Sequence, residues 1–256
     1  MAEVTKQDAL VQLCLRMGDN ALILGHRLSE WVRHAPAMEE DIAIANTALD
    51  LIGQCQLWLG LAGEIEGAGR SADDLAMHRD AWDFRNLLLV EQENGDYGRT
   101  LMRSYLFDEW HLSQLRALKS STEPRVAEIA EKAEKEVSYH LDRSRELVIG
   151  LGDGTRESHA RMQDALDRLY PYVGEMFAGD ATDAVLSEAG TAPDPASLRQ
   201  GYDDALAATI EEATLTLPES RWSHSGGRDG RRHSEHLGHL LATMQFLPRA
   251  YPDAEW

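Results

Sequence analysis

Cysteine, proline and positive charge are all scarce in this sequence, and each scarcity removes a class of protein. Only two cysteines, Cys14 and Cys55, occur in 256 residues, both inside helical patterns. A disulfide scaffold is therefore excluded, and a reducing cytosol fits. Before residue 171 the only prolines are Pro36 and Pro124, and helix formers dominate, which predicts a mostly helical chain. Lysine and arginine number 25 against 44 acidic residues, a formal net charge of −19. Without a basic footprint a nucleic-acid surface is excluded, and proteins or small molecules are the expected partners. No apolar run approaches the roughly 20 residues that cross a bilayer, and the N-terminus has no cationic segment followed by an apolar core. The expectation is a soluble, cytoplasmic protein without membrane partners. Phosphate-binding Gly-rich loops, Cys-x-x-Cys pairs and Gly-x-Ser-x-Gly elbows are missing too, as are solenoid repeats and low-complexity tracts.

What is present is helical periodicity. Leu10, Cys14, Met17, Ala21, Leu24, Leu28 and Trp31 recur with a seven-residue rhythm and predict a first helix from about Lys6 to Val32. Leu15, Asp19, Leu22, His26 and Glu30 form a second stripe on it, which predicts a helix wedged inside a larger assembly. After the interruption at Pro36, a second helix runs to about Gly63, with Ile42, Ala45, Leu49, Ile52 and Leu59 on one face and Asn46, Asp50, Gly53 and Leu57 on another. The stretch from Asp80 to Leu118 reads as one long third helix that tolerates Gly95 and Gly98, at a cost of about 1 kcal/mol each relative to Ala. A fourth covers Glu131 to Leu151. Four long amphipathic segments with short links predict an all-α, antiparallel bundle. Further helices are expected from about Thr155 to Ala178, with Pro171 bending or breaking the first, then Asp194 to Leu217 and Arg231 to Leu247. The segment LPESRWSHSGGRDGRR between the last two reads as flexible and locally basic. The whole of 1–256 is taken as one domain, a bundle core over about 6–151 and packing helices over about 155–256; the alternative is a boundary near residue 152.

The fourth helix carries groups that a plain core helix does not need. Ala133, Val137, Ser144 and Leu147 share a face with His140 near its centre and Glu136 on its flank. Such residues are either bundle-core metal ligands or a buried polar pair satisfying each other. A di-iron carboxylate site takes one Glu from each of two helices and a Glu-x-x-His pair from each of two more; carboxylates bridge the irons and imidazoles complete each shell. Glu30 is available on the first helix and Glu91 or Glu93 on the third. On the second, the slot reads Asp50-x-x-Gly53, and glycine has no ligand to give. On the fourth, Glu136-x-x-x-His140 is one residue too long. The incomplete set favours a metal-free remnant, with Asp19, Asp50, Glu91, Glu136 and His140 in one buried polar cluster and Arg27 or Arg85 as counter-ions. The competing reading is a stand-alone di-iron or manganese oxygenase or ferroxidase. His233, His236 and His239 are spaced by three, but the outer two lie roughly 9 Å apart along a helix axis, too far for one zinc ion. Surface or interface histidines are expected there. Trp31, Trp58, Trp82, Trp110 and Trp222 are scattered and read as core or interface anchors.

Four separated stretches carry a family resemblance: GDNALILGHRLSEWVRHAPAMEEDIAIANTALDLIGQ, FRNLLLVEQENGDYGRTLMRSYLFDEW, EKEVSYHLDRSRELVIGLGDGT and EHLGHLLATMQFLPRAYPDAEW. From about Gly18 to Trp256 the chain resembles the C subunits of bacterial phenylacetyl-CoA epoxidases, also called 1,2-phenylacetyl-CoA monooxygenases. The resemblance implies a ferritin-like, non-catalytic component of a hetero-oligomeric monooxygenase in aerobic phenylacetate catabolism. That enzyme converts phenylacetyl-CoA to its ring-1,2-epoxide with dioxygen and NADPH. It also implies a catalytic A subunit that holds the di-iron centre and the CoA ester, a small B subunit, and a reductase carrying flavin and an iron-sulfur centre. No catalytic or cofactor-binding residue carries over to this chain, and Glu30, Asp50, Gly53, Glu91, Glu136 and His140 stand as vestigial ligand positions expected to be metal-free. The contact with the A subunit is expected on the first three helices, and the acidic surface to disfavour the CoA ester except near Arg228, Arg231 and Arg232.

Overall fold

The computed structural model describes residues 4–219, 222–252 and 254, and among them every regular element is helical. The first helix, α1 (Lys6–Trp31), starts where the Thr5 side chain accepts the Asp8 amide, a cap that satisfies one of the free donors of the first turn. Every residue from Leu13 to Gly25 is buried, so both stripes face protein. Its main neighbour is α2 (Met38–Glu66). The two backbones approach closely because α1 is cut back to glycine at the contact: a Cβ at Gly18 would lie 2.6 Å from Leu59 Cδ2, and one at Gly25 3.3 Å from the Ala48 carbonyl. Ile23, Leu24, Leu51, Trp58 and Leu59 of these two helices are buried, each side chain contributing about 1.5–3 kcal/mol by its burial. In the turn between them Arg33 adopts φ 80, held by the Asp41 carboxylate, which accepts the Arg33 and Ala35 amides.

The second hairpin pairs α4 (Tyr97–Leu118) with α5 (Pro124–Gly152), after the short α3 (Ala72–Met77). Pro124 occupies the first turn of α5, where its missing N–H costs nothing. Of the predicted stripe, Ala133, Val137, His140 and Ser144 are buried and Leu147 is half-buried; the helix starts earlier than expected, and Val126, Ile129, Ala130, Leu141 and Val148 complete its buried face. The predicted long third helix is not continuous. A 3-10 turn at Ala81–Asp83 is followed by an irregular stretch, and α4 begins only at Tyr97. Side chains elsewhere take the amides that a helix would have used: Asp19 accepts the Arg85 amide, Asn20 that of Leu87 and Glu175 that of Leu88, each at 2.8 Å. Gly95 then turns left-handed at φ +65, and Asp96 caps the new helix through the Arg99 amide. Glycine here ends one segment and is not a weak point within a helix.

Beyond α5, α6 (Arg156–Leu169) packs on α4 and α5. At Pro171 the chain tightens into a 3-10 run, Tyr170–Phe177, as the proline predicted. The sequence reading missed α7 (Ala181–Glu188), whose start is fixed by a reciprocal Asp180/Asp183 capping box and which lies on α1. The helices α8 (Arg199–Glu212), α9 (Glu235–Met244) and α10 (Phe246–Ala250) follow. Both predicted C-terminal helices are thus shorter than expected, Arg231 to Ser234 remaining non-helical. Of the loop before α9, Ser220 and Arg221 lie outside the described residues, as do Asp253, Glu255 and Trp256 of the C-terminal motif. The rest of that loop is pinned: Glu175 accepts the amides of Gly226, Gly227 and Arg228 at 2.9, 2.7 and 3.3 Å. No helix among the described residues is long and apolar enough to cross a membrane.

Candidate functional site

The two hairpins meet at a junction of four helices. Leu28 of α1, Ile44 and Thr47 of α2, Ser104 and Asp108 of α4, and His140 and Arg143 of α5 line a cavity of about 20 Å³ there. Bundles of this kind place a di-iron pair between four helices, on carboxylates and imidazoles that project inward. Here α1 presents Leu28, α2 Ile44 and Thr47, and α4 adds Tyr97, Thr100 and Leu101, so the lining holds only one carboxylate and one imidazole besides hydroxyls. Aliphatic side chains offer no donor, and the Arg143 guanidinium keeps a fixed positive charge beside the cavity. Among the described residues, no three His, Cys, Asp or Glu side chains are grouped to hold a metal ion. The residue set does not fit a di-iron centre.

The expected polar residues are real but divided. His140 is 2% exposed, and its Nε2 lies 2.9 Å from Asp50 Oδ2. Gln54 donates to Glu136 at 3.0 Å. Glu136 and His140 therefore bond across to α2 instead of to each other, because a four-residue step sends both toward the neighbouring helix. Asp50 keeps a side chain 40% exposed, so it reaches His140 from the rim. Gly53 is not on the inner face at all: a Cβ there would meet nothing within 4 Å.

Asp19 and Glu91 stand apart from this junction, which corrects the single cluster expected from the sequence. Asp19 is fully buried and paired with Arg79, bonding both guanidinium ends, one at 3.0 Å. Of the two expected counter-ions, the Arg85 guanidinium feels the Asp19 charge without hydrogen-bonding to it, and Arg27 bonds elsewhere. Arg85 gives Asp19 only its backbone amide, its side chain turning to Gln12 and to the Trp82 and Phe84 carbonyls. Arg27 donates to the Glu91 carbonyl and to Glu30, 2.8 Å away on the exposed rim. Glu91, off any helix, accepts from the Asn86 side chain at 3.1 Å, from His233 Nδ1 at 2.9 Å and from the Ser234 amide at 2.5 Å. His233 is thus a buried partner of Glu91 and lies before α9, away from His236 and His239 in role. Glu93 pairs with Arg99 at 2.9 Å near the surface. Arg228 is committed to Asp183 at 2.9 Å and Arg231 to its neighbour Asp229, so two of the three cations considered for a CoA ester are already engaged.

One pair was missed. Asp108 and His111 stand three apart on the inner face of α4, 2% and 1% exposed. Burial pushes the Asp108 carboxyl up to about 6, against the pull of His140 and of the Ser144 hydroxyl, which donates to it at 3.1 Å. Burial pushes His111 down to about 3, with His140 adding to the effect. The D-x-x-H spacing within an apolar period was the available signal, obscured by reading Glu91 as the helix-three carboxylate.

Fold and junction together define an all-α, ferritin-like bundle whose central polar set is incomplete. The family model described as phenylacetic acid catabolic protein matches residues 1–256. The chain is also 44% identical over 247 residues to the C subunit of 1,2-phenylacetyl-CoA epoxidase from Escherichia coli (strain K12), covering 96% of this chain and 99% of that protein. The chain belongs to the phenylacetic acid catabolic protein family.

Proposed function

We propose that this chain is the structural C subunit of a cytoplasmic, multicomponent phenylacetyl-CoA epoxidase, and that it supports a catalytic partner without carrying out the chemistry. The observation that carries this reading is the junction itself. In a chain so similar to a C subunit of that enzyme, the cavity between the four helices is lined by Leu28, Ile44, Thr47 and the Arg143 guanidinium, with Asp108 its one carboxylate and His140 its one imidazole. Dioxygen activation, the CoA ester and electrons from NADPH are then the business of an A subunit and a reductase, and a small B subunit makes up the rest of the hetero-oligomer.

The outer face of α2 supports the pairing. Met38 is 72% exposed, Ile42 53% and Leu49 69%, and Tyr139 of the adjoining α5 is 63% exposed. A helix apolar on two sides is a helix with two neighbours, and α1 covers only one of them. Exposed apolar stripes of this kind are unusual on a monomer and normal at an obligate interface. We assign the contact, expected on the first three helices, to the α2 face with the adjoining edge of α5, because α1 is buried from Leu13 to Gly25.

Co-expression with the family's A subunit tests the reading. The expected result is a stable complex that turns over phenylacetyl-CoA when the reductase is added, with iron lost when the A subunit is omitted. A di-iron complement in this chain purified alone, or epoxidation by it without the A subunit, would overturn the proposal and favour a stand-alone oxygenase.

A further inference from the structure

The outer face of α2 carries two glycines that no neighbour among the described residues explains. In the α1/α2 hairpin, Gly18, Gly25 and Gly63 lie where an added Cβ would press on Leu59, the Ala48 carbonyl and the Arg70 carbonyl. At Gly53 and Gly60 an added Cβ meets nothing within 4 Å, and neither residue has a left-handed backbone. Glycine in mid-helix lowers stability relative to alanine, and its usual return is the close approach of another backbone. At 3.6 residues per turn, Ile42, Leu49, Gly53 and Gly60 fall within roughly 20° of one line along the helix. Ile42 and Leu49 are 53% and 69% exposed, so the line is large and apolar over its first half and bare over its second.

The edge of this face toward α5 is acidic and unbalanced. Asp50, its side chain 40% exposed, is bonded to His140, and Glu136, across the seam on α5, to the Gln54 amide. No lysine or arginine among the described residues bonds either carboxylate. A partner that covered the face without bringing a cation would strip water from both uncompensated. From Ile42 to Gly60 the line is about 27 Å long. A helix crossing at about −50° would touch only its middle, whereas one running alongside at about 20° follows all of it. We infer that one long helix of the A subunit lies along α2 at this shallow angle, its backbone closest at Gly53 and Gly60, with a lysine or arginine of that subunit paired to Asp50 and Glu136. Resting on the pairing proposed above, this contact uses Ile42 and Leu49 as apolar knobs, the glycines as the groove and the two carboxylates as the charged edge.

Gly53→Leu and Gly60→Leu are each compared with the unaltered chain, alone and co-expressed with the A subunit. Alone, each variant is expected to keep its thermal midpoint within about 2 °C of the original or above it, since open space surrounds the new side chain. With the A subunit, pairing is expected to weaken by roughly tenfold or more in sedimentation, because the added side chain overpacks the contact. Unimpaired pairing of both variants would overturn the close approach and leave the C-subunit reading standing; failure of the unaltered chain to pair would overturn that reading together with this one. Glu136→Lys is expected to weaken pairing by roughly tenfold, more at low salt than at high, and an unchanged affinity would overturn the charged edge. Where a variant folds poorly alone, amide exchange on the unaltered proteins decides: slowing across residues 42–60 on pairing supports the contact, and unchanged exchange there overturns it.

Discussion

The four-helix junction and the segment that wraps its flank both bury carboxylates, yet they satisfy them in opposite ways. At the flank, Glu175 gathers four backbone amides, Glu91 one amide and two side chains, and Asp19 a guanidinium and an amide. At the junction, Asp108 has Ser144, and His140 has a half-exposed Asp50. A saturated carboxylate is a fastener, because every donor it holds would be left unpaired without it. A sparsely served one, such as Asp108 with the Ser144 hydroxyl, holds few donors and is less bound to its surroundings. Inward carboxylates in a helical bundle thus have two meanings, and the donors around each one tell them apart.

The sharpest way to break this contrast is to remove a fastener. Glu175→Ala is expected to strand four amides and cost about 3–5 kcal/mol, seen as a thermal midpoint lower by roughly 10 °C. A shift within about 2 °C would mean that the loop amides find water at no cost. Arg79→Met follows, leaving Asp19 buried without its cation, with an expected loss of about 3 kcal/mol in urea denaturation.

The junction side is probed by Asp108→Asn. Because burial raises this carboxyl to about 6 in the folded chain, the folded state binds more protons than the unfolded state between about pH 4 and pH 6. Stability contributed at this site is therefore highest below pH 4 and falls as pH rises through 6. The asparagine variant is expected to flatten that part of the curve by about 1–3 kcal/mol; an unchanged profile would refute the raised value.

Leu49→Asp, on the exposed α2 face, is expected to leave the isolated chain within about 0.5 kcal/mol of its original stability while weakening pairing with the A subunit by at least tenfold, measured by sedimentation. Unimpaired pairing would move the interface elsewhere. The smallest effect is expected at Gly53→Ala. With open space around its Cβ, the isolated chain should gain up to about 1 kcal/mol of helix stability, and a loss would show that the position is packed after all.

Much of the bundle was legible in the sequence because helical periodicity is a local signal. The two stripes of α1, the face of α5 and the break at Pro171 follow from spacing and from the backbone limits of proline. The interruption before α4 was not legible, since Asp19, Asn20 and Glu175, remote in sequence, take amides from residues 85–88. The site was read half correctly for the same reason. His140 and Glu136 were found on their helix, but Glu91 was assigned to a helix that begins only at Tyr97, and Asp108 and His111 went unread behind it.

By itself, then, the sequence determined an acidic, all-helical chain with an incomplete set of ligand-type residues, because composition and period act within a few turns. Only the tertiary structure decided which carboxylates meet which donors. Hydrogen-bond partners 60 and 142 residues apart, Arg79 with Asp19 and His233 with Glu91, are brought together by packing, and no periodicity along one helix records that meeting.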